Sequence, residues 1–287
     1  MSDSINFHNA SSEDILSLNK IRATLQRMED TIVFRLIERT QFAHNKRMYE
    51  DGAFPELKDK ENWSGSWLAW LLKETESSHA KLGRWTAPDE YAFTDVSTMP
   101  KPILTPVDYP DLLHPHHVNV SKDVLKFYTE EIVPRITLRE GGIDDDRQYG
   151  SSAIGDVEAL SAINRRIHFG MFVSESKFRD DPAAFIPHIH SRNREALAGL
   201  ITKPAVEAVL LKRVAQKAEI YGQDLDQAAP EHNKEKVRKI QTAEVVRLYQ
   251  EFIIPMTKEV EVDYLLERLD GLSPEQVNAL ASKNGTA

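Results

Sequence analysis

Six side chains in this sequence are of the kinds that hold a small anion, and most fall on stretches that are otherwise apolar. Ile15, Leu18, Leu25, Ile32 and Leu36 recur at helical spacing, and Arg22 and Glu29 lie on the same stripe. Burying a charge without a partner is costly, so both need partners or a ligand. A buried ion pair, or an arginine that reaches the surface along its stem, explains the pattern equally well. Arg166 and Lys177 are eleven residues apart, about three helical turns, so one helix would point them the same way. Ala159, Ala162, Gly170 and Val173 accompany them, leaving room beside the cations. Thr257 and Glu261 are four apart and share a face with Val260, Tyr264 and Leu265. Thr202-Lys203-Pro204-Ala205-Val206-Glu207 reads as a helix start, where an acid such as Glu207 also favours the helix dipole. Together these describe a bundle interior lined by three cations, two acids and a hydroxyl, which suits a small dianion.

The elements that must position these groups are helices. Long alternating stretches are absent, and apolar residues recur at three and four. Ser11-Ser12-Glu13-Asp14 opens a long helix to about His44. Trp63, Trp67 and Trp70 lie on one face of a second helix, ending near Arg84. Residues 86–118 hold six prolines and form an extended connection, long enough to imply wrapping or interface building. A third helix covers about 119–138, a charged loop 139–146, and a further helix 154–178. Shorter helices fill 181–200, one covers 204–220, and a polar loop holds 222–238. A long helix occupies 242–269, kinked at Pro255, and Ser273-Pro274-Glu275 caps a short terminal one. The expected fold class is all-α: a single-domain bundle over 1–287, core about 12–269, with its active site inside.

Composition is that of a globular chain, with 41% hydrophobic and 28% charged residues. A net charge of -9 argues against nucleic acid or anionic lipid as main partner, yet leaves room for a cationic pocket. The absence of cysteine removes disulfides, thiolate metal sites and cysteine nucleophiles. With no secretory leader and no apolar run of membrane length, the expected compartment is the cytoplasm.

In these residues the chain resembles the eukaryotic, yeast-like, all-helical chorismate mutases. The matching strings are Asn19-Lys20-Ile21-Arg22, Arg27-Met28-Glu29-Asp30, Asn164-Arg165-Arg166-Ile167-His168-Phe169-Gly170, Ser176-Lys177-Phe178, Ala205-Val206-Glu207, and Ile254-Pro255-Met256-Thr257-Lys258-Glu259-Val260-Glu261-Val262. They run in order from about residue 12 to 269. The resemblance implies an isomerase that rearranges chorismate to prephenate in phenylalanine and tyrosine biosynthesis, with no metal and no cofactor. By motif, Arg22 and Arg166 clamp the two carboxylates and Thr257 assists. Lys177 donates to the ether oxygen, Glu207 accepts from the ring hydroxyl, and Glu261 donates to the ether oxygen as a protonated acid. Glu29 is expected to pair with one of these arginines. Lys203 stands where relatives have a substrate-contacting asparagine.

The resemblance also implies a homodimer with an interface site for the effectors tyrosine and tryptophan. Arg84, Gly150 and Ser151 match that site. Gly83, Ile154 and Gln241 replace an arginine and two threonines, so a weak or altered tyrosine response is expected. An inactive helical interaction protein, or an enzyme acting on another small dianion, are the competing readings. His114-Pro115-His116-His117, with His188 and His190 further on, is read as a solvated loop rather than a metal tract. Lys234-Glu235-Lys236-Val237-Arg238-Lys239 is read as a charged loop.

Overall fold

A computed structural model describes residues 11–138, 142–223 and 238–282. Most of the charged stretch Lys234–Lys239, the greater part of the 222–238 loop and part of the 139–146 loop lie outside the described residues. The helices are α1 (Ser12–Ile15), α2 (Leu18–Arg39), α3 (Pro55–Glu61), α4 (Trp67–Lys81), α5 (Ser121–Phe127), α6 (Val133–Ile136) and α7 (Tyr149–His168). They continue as α8 (Gly170–Asp180), α9 (Pro182–His190), α10 (Arg194–Ile201), α11 (Pro204–Tyr221), α12 (Thr242–Leu248), α13 (Ile254–Glu267) and α14 (Pro274–Ala281). Among the described residues there is no strand, as the periodicity requires.

Four helices of the sequence reading divide, each for a local reason. The first breaks at Leu16 and Ser17, because Ser11 caps only a four-residue turn. It ends at Arg39 rather than His44. The Arg39 side chain turns back and donates to the carbonyls of Phe42, Ala43 and His44, which replaces the next helical turn. The expected helix 154–178 starts earlier, at Tyr149, and breaks at Phe169, where α8 begins. Trp63 precedes its expected helix: Ser66 accepts from the Ala69 amide as the cap, and α4 starts at Trp67.

Pro134 and Pro255 produce a π-turn rather than a simple kink. Proline has no N–H and its ring collides with the carbonyl four residues back. One widened turn sits immediately before each: Tyr128–Ile132 joins α5 to α6, and Tyr249–Ile253 joins α12 to α13. Val133 N–H reaches back five residues to the Tyr128 carbonyl, and Ile254 N–H likewise to Tyr249. The rings of Phe127 and Phe252 stack between these paths at 3.9 Å.

The main core joins α2, α4, α5, α7, α12 and α13 around Ile32, Leu36, Leu160, Ile163 and Val260. A second cluster lies between α9, α10, α14 and the end of α13, and a third holds Phe169 and Phe172 against α1 and α2. The Pro-rich 86–118 connection wraps the bundle and is pinned to α13. His114 N–H donates to the Tyr264 hydroxyl and His117 N–H to Glu267. The His114-His117 segment is thus a fastening along α13, and His116 packs edge-on against Tyr264.

A buried ion pair ties the end of α2 to α7. Arg39 Nε lies 2.6 Å from Asp156 Oδ1, with both side chains fully buried. Asp156 also accepts from the Tyr49 and Tyr128 hydroxyls at 2.7 and 2.9 Å. Four acceptors besides Asp156 take the remaining guanidinium N–H groups. Breaking such a pair leaves a buried charge alone, so Asp156→Asn is expected to lose about 3–5 kcal/mol of stability in urea unfolding. A loss below about 1 kcal/mol, the level of an exposed pair, would overturn this account.

Candidate active site

Residues of six helices line a cavity of about 150 Å³. Arg22 comes from α2, Arg166 from α7, Lys177 from α8, Glu207 from α11, and Thr257 and Glu261 from α13. Lys203, just before α11, completes the wall with Lys258. All six candidate residues, together with Lys203, therefore meet at one place, although they span 240 positions of sequence. Leu18, Leu25, Val173 and Val206 supply the apolar part of the lining.

The break at Phe169 brings Arg166 and Lys177 together from two helices, not one. Gly170, the first residue of α8, allows the close approach. A Cβ there would stand 2.7 Å from Thr257 Cγ2 and 3.1 Å from Glu261 Cγ. Ala159 is core, and Ala162 faces a different cavity, so the expected small-residue face serves two purposes.

The charges inside the cavity do not balance. Arg166 is 4% exposed, and its Nε and Nη1 are buried without a hydrogen-bond partner among the described residues. Burial pushes its pKa down, and the carboxylates of Glu29 and Glu261 only partly oppose this. Lys177 donates to the Ile201 carbonyl, and burial lowers its pKa too. Glu207 is neutralised by Lys258 at 2.8 Å. Glu261 is buried, and desolvation pushes its pKa up to about 8 against the pull of Lys177, Arg166 and Lys258. Its neutral form is thereby favoured and Glu207 is held by Lys258, so the cations Arg22, Arg166, Lys177 and Lys203 outnumber the carboxylates lining the cavity. Thr257 donates its hydroxyl to the Ile253 carbonyl at 2.6 Å and must rotate to reach a ligand.

Glu29 corrects the expectation. It pairs with neither Arg22 nor Arg166. Arg213 grips it with two bonds of 2.7 and 2.6 Å, and Lys217 lies 3.2 Å away. Arg213 and Lys217 are one turn apart on α11, so Glu29 fastens α11 to α2, the helices that carry Glu207 and Arg22. The sequence reading missed both cations and Lys258. The i,i+4 pair Arg213/Lys217 opposite adjacent Glu29 and Asp30 was the available signal.

A second cavity, about 430 Å³, lies on the other side of α7. Arg84 lines it, held by Glu90, Ser161 and His79. Arg35, Arg165 and Ile154 also line it, with Ile154 56% exposed. Gly150 and Ser151 do not. They lie exposed at the start of α7 and do not meet Arg84 within one chain. Gly83 holds a left-handed turn at φ +81°, and Gln241 precedes α12. Among the described residues, no three His, Asp or Glu side chains are grouped as metal ligands, and no helix is long and apolar enough to cross a membrane.

The fold and site define an all-helical bundle with a cationic pocket between its helices. The family model described as chorismate mutase type II matches residues 149–262. The chain is 41% identical over 259 residues to chorismate mutase 3, chloroplastic, from Arabidopsis thaliana, covering 90% of this chain and 79% of that protein. A chorismate mutase from Candida albicans in complex with L-Trp superposes with a TM-score of 0.85 at 38% identity, covering 96% of this chain and 99% of that one. AtCM1 with tyrosine bound in its allosteric site gives 0.76 at 38% identity, covering 88% and 97%. The chain belongs to the chorismate mutase family.

Gly170→Ala tests the packing of the site. The added methyl overlaps the stiff Thr257 side chain, and overpacking of this kind costs about 1–3 kcal/mol. Displacing Thr257 and Glu261 by a fraction of an ångström is expected to lower kcat by about tenfold or more with unchanged helical content. Wild-type kcat in this variant would show that the close approach is not required.

Proposed function

We propose that the cavity lined by Arg22, Arg166, Lys177, Glu207, Thr257 and Glu261 is the active site of this chorismate mutase and takes chorismate as a dianion. The single observation that carries this reading is the buried Arg166 guanidinium, whose Nε and Nη1 have no hydrogen-bond partner among the described residues. A carboxylate from the substrate supplies what the chain withholds. Arg22, at the mouth of the cavity, takes the second carboxylate, with Thr257 and Lys203 beside it. Glu207 accepts from the ring hydroxyl.

The enzyme is an isomerase, and the reaction is a concerted rearrangement within one molecule. The ether C–O bond breaks as a new C–C bond forms, with no group leaving and no net proton transfer. Holding the compact conformer supplies orientation, and donors at the ether oxygen stabilise the charge that builds there. Lys177 is one such donor. Glu261 is the other, and only its protonated form can donate.

The sign of the pH effect follows from that proton. Below about pH 8 Glu261 keeps its proton and donates; above it the acid ionises and opposes negative charge at the ether oxygen. Turnover, followed as loss of chorismate absorbance, is expected to fall on the alkaline side. Glu261→Gln, a donor at every pH, should remove that fall, and an unchanged profile in the variant would sink the assignment. Arg166→Ala should lower kcat/KM by about a hundredfold or more. No turnover in the unmodified protein would favour an interaction module that has kept only the fold.

We also infer a homodimer in which the Arg84 cavity takes an aromatic amino acid. Gly150 and Ser151 stay outside that cavity in one chain, so a partner copy must bring them to it. Ile154 and Gly83 offer neither hydroxyl nor cation, which weakens recognition of the tyrosine ring hydroxyl. Tryptophan is therefore expected to shift the kinetics more than tyrosine, with sedimentation at twice the chain mass. Strong tyrosine inhibition, or a monomer throughout, would refute the respective half. The cytosol is the compartment proposed, against the chloroplast in the name of the Arabidopsis relative; cell fractionation decides between them.

A further inference from the structure

Behind the active site, on the seam between α8 and α13, lies a buried carboxylate that the rearrangement does not use. Glu175 is fully buried. Arg268 grips it with Nε at 2.6 Å and Nη2 at 3.0 Å, Arg179 Nε stands at 2.6 Å, and the Tyr264 hydroxyl donates at 2.6 Å. Two guanidinium groups on one carboxylate is more than neutralisation requires. The surplus is spent on geometry. Arg268 also lies over the Phe178 ring at 4.5 Å, and Arg179 reaches the carbonyls of Asp111 and Leu112.

The order of contacts shows what this cluster fixes. Gly170 meets Thr257 and Glu261, Glu175 meets Tyr264 and Arg268, and Phe178 meets Arg268. Numbers rise together on both helices, so α8 and α13 run side by side in the same direction. The contact at Gly170 is a smooth approach of small groups and sets distance only. The ion cluster one to two turns further on is directional and sets the slide of one helix along the other. Lys177 lies two residues past Glu175, and Glu261 one turn before Tyr264. A slide on this seam changes the separation of those two groups across the pocket and the dryness of the acid.

We propose that Glu175 is a positioning residue for the rearrangement: held by Arg268, Arg179 and Tyr264, it locks the register of α13 on α8 and so sets Glu261 against Lys177. This rests on the reading of that pocket as the active site. The groups that face Glu261 are Lys177 from α8, Arg166 from α7, Glu207 from α11 and Lys258 from its own helix, with Lys203 and Arg22 of α2 acting on Lys177. On the other side of the seam, His116 packs against Tyr264, and burial lowers its pKa, so it stays neutral where Glu261 titrates.

Tyr264→Phe removes the bond to Glu175 and the one accepted from His114 N–H but leaves the ion pairs, so it is the variant to measure in the full chain. It is expected to keep its helical content and lose about five- to tenfold in kcat with KM within about twofold. A looser seam admits water to Glu261, so the alkaline limb of the kcat profile should move to lower pH by roughly half a unit. Glu175→Gln should act in the same direction and more strongly; if that chain does not fold, Tyr264→Phe carries the test alone. In a Glu261→Gln background, Tyr264→Phe should produce no shift of the limb. A lowered melting temperature with kcat and limb as in the parent would make the cluster a brace only and overturn the proposal. Failure of the site reading looks different: Glu261→Gln by itself would then leave the alkaline limb in place.

Discussion

Arg166 stands in the interior of the bundle with its Nε and Nη1 unbonded among the described residues. A buried cation in this condition costs several kcal/mol, and a chain gains nothing from it in the folded state by itself. The cost is held in place by surroundings that cannot relax. Glu29, one of two acids close enough to act on Arg166, is occupied by Arg213 and Lys217. Glu261, the other, answers the same low dielectric with a raised pKa that favours its neutral form. The cavity is therefore a preorganised deficit of negative charge, which under the proposed function the substrate's carboxylates fill.

The same chemistry is used for opposite ends elsewhere in the bundle. Asp156, Glu29 and Glu175 are buried carboxylates too, but each is saturated by donors aimed from two or more elements. They fasten α2 to α7, α2 to α11, and α8 to α13. These are the junctions that determine where Arg22, Arg166, Glu207 and Glu261 point. Environment, not residue type, separates the fastening acids from the one acid left to do chemistry.

Two adjacent residues of α7 face two cavities. Arg165 lines the larger one and is bonded to Asp89 at 2.8 Å, while Arg166 lines the active site. A shift of α7 is therefore felt in both places at once, and α2 borders both as well, through Met28 on one side and Arg22 on the other. Rigid helices with a shared wall are the physical means by which occupancy of one cavity can bias the other.

Much of this was legible in the chain. Helical periodicity gave the all-α class, prolines marked the 86–118 connection, and charges on apolar stripes marked Arg22, Arg166, Lys177 and Glu261 as groups needing partners or a ligand. Periodicity is a local property, and each of those judgements needs only neighbours within a few turns. Partnership is not local. Glu29 lies on the same stripe as Arg22, yet its partners are Arg213 and Lys217, more than 180 positions away. The division of one helix at Phe169 places Lys177 across from Glu261, and the pattern of residues 154–178 does not reveal it. Gly150 and Ser151 match a motif but stand away from Arg84. Residue types and spacing determine which side chains must be compensated. Only the packing of α2, α7, α8, α11 and α13 decides which are compensated from within and which are left for the substrate.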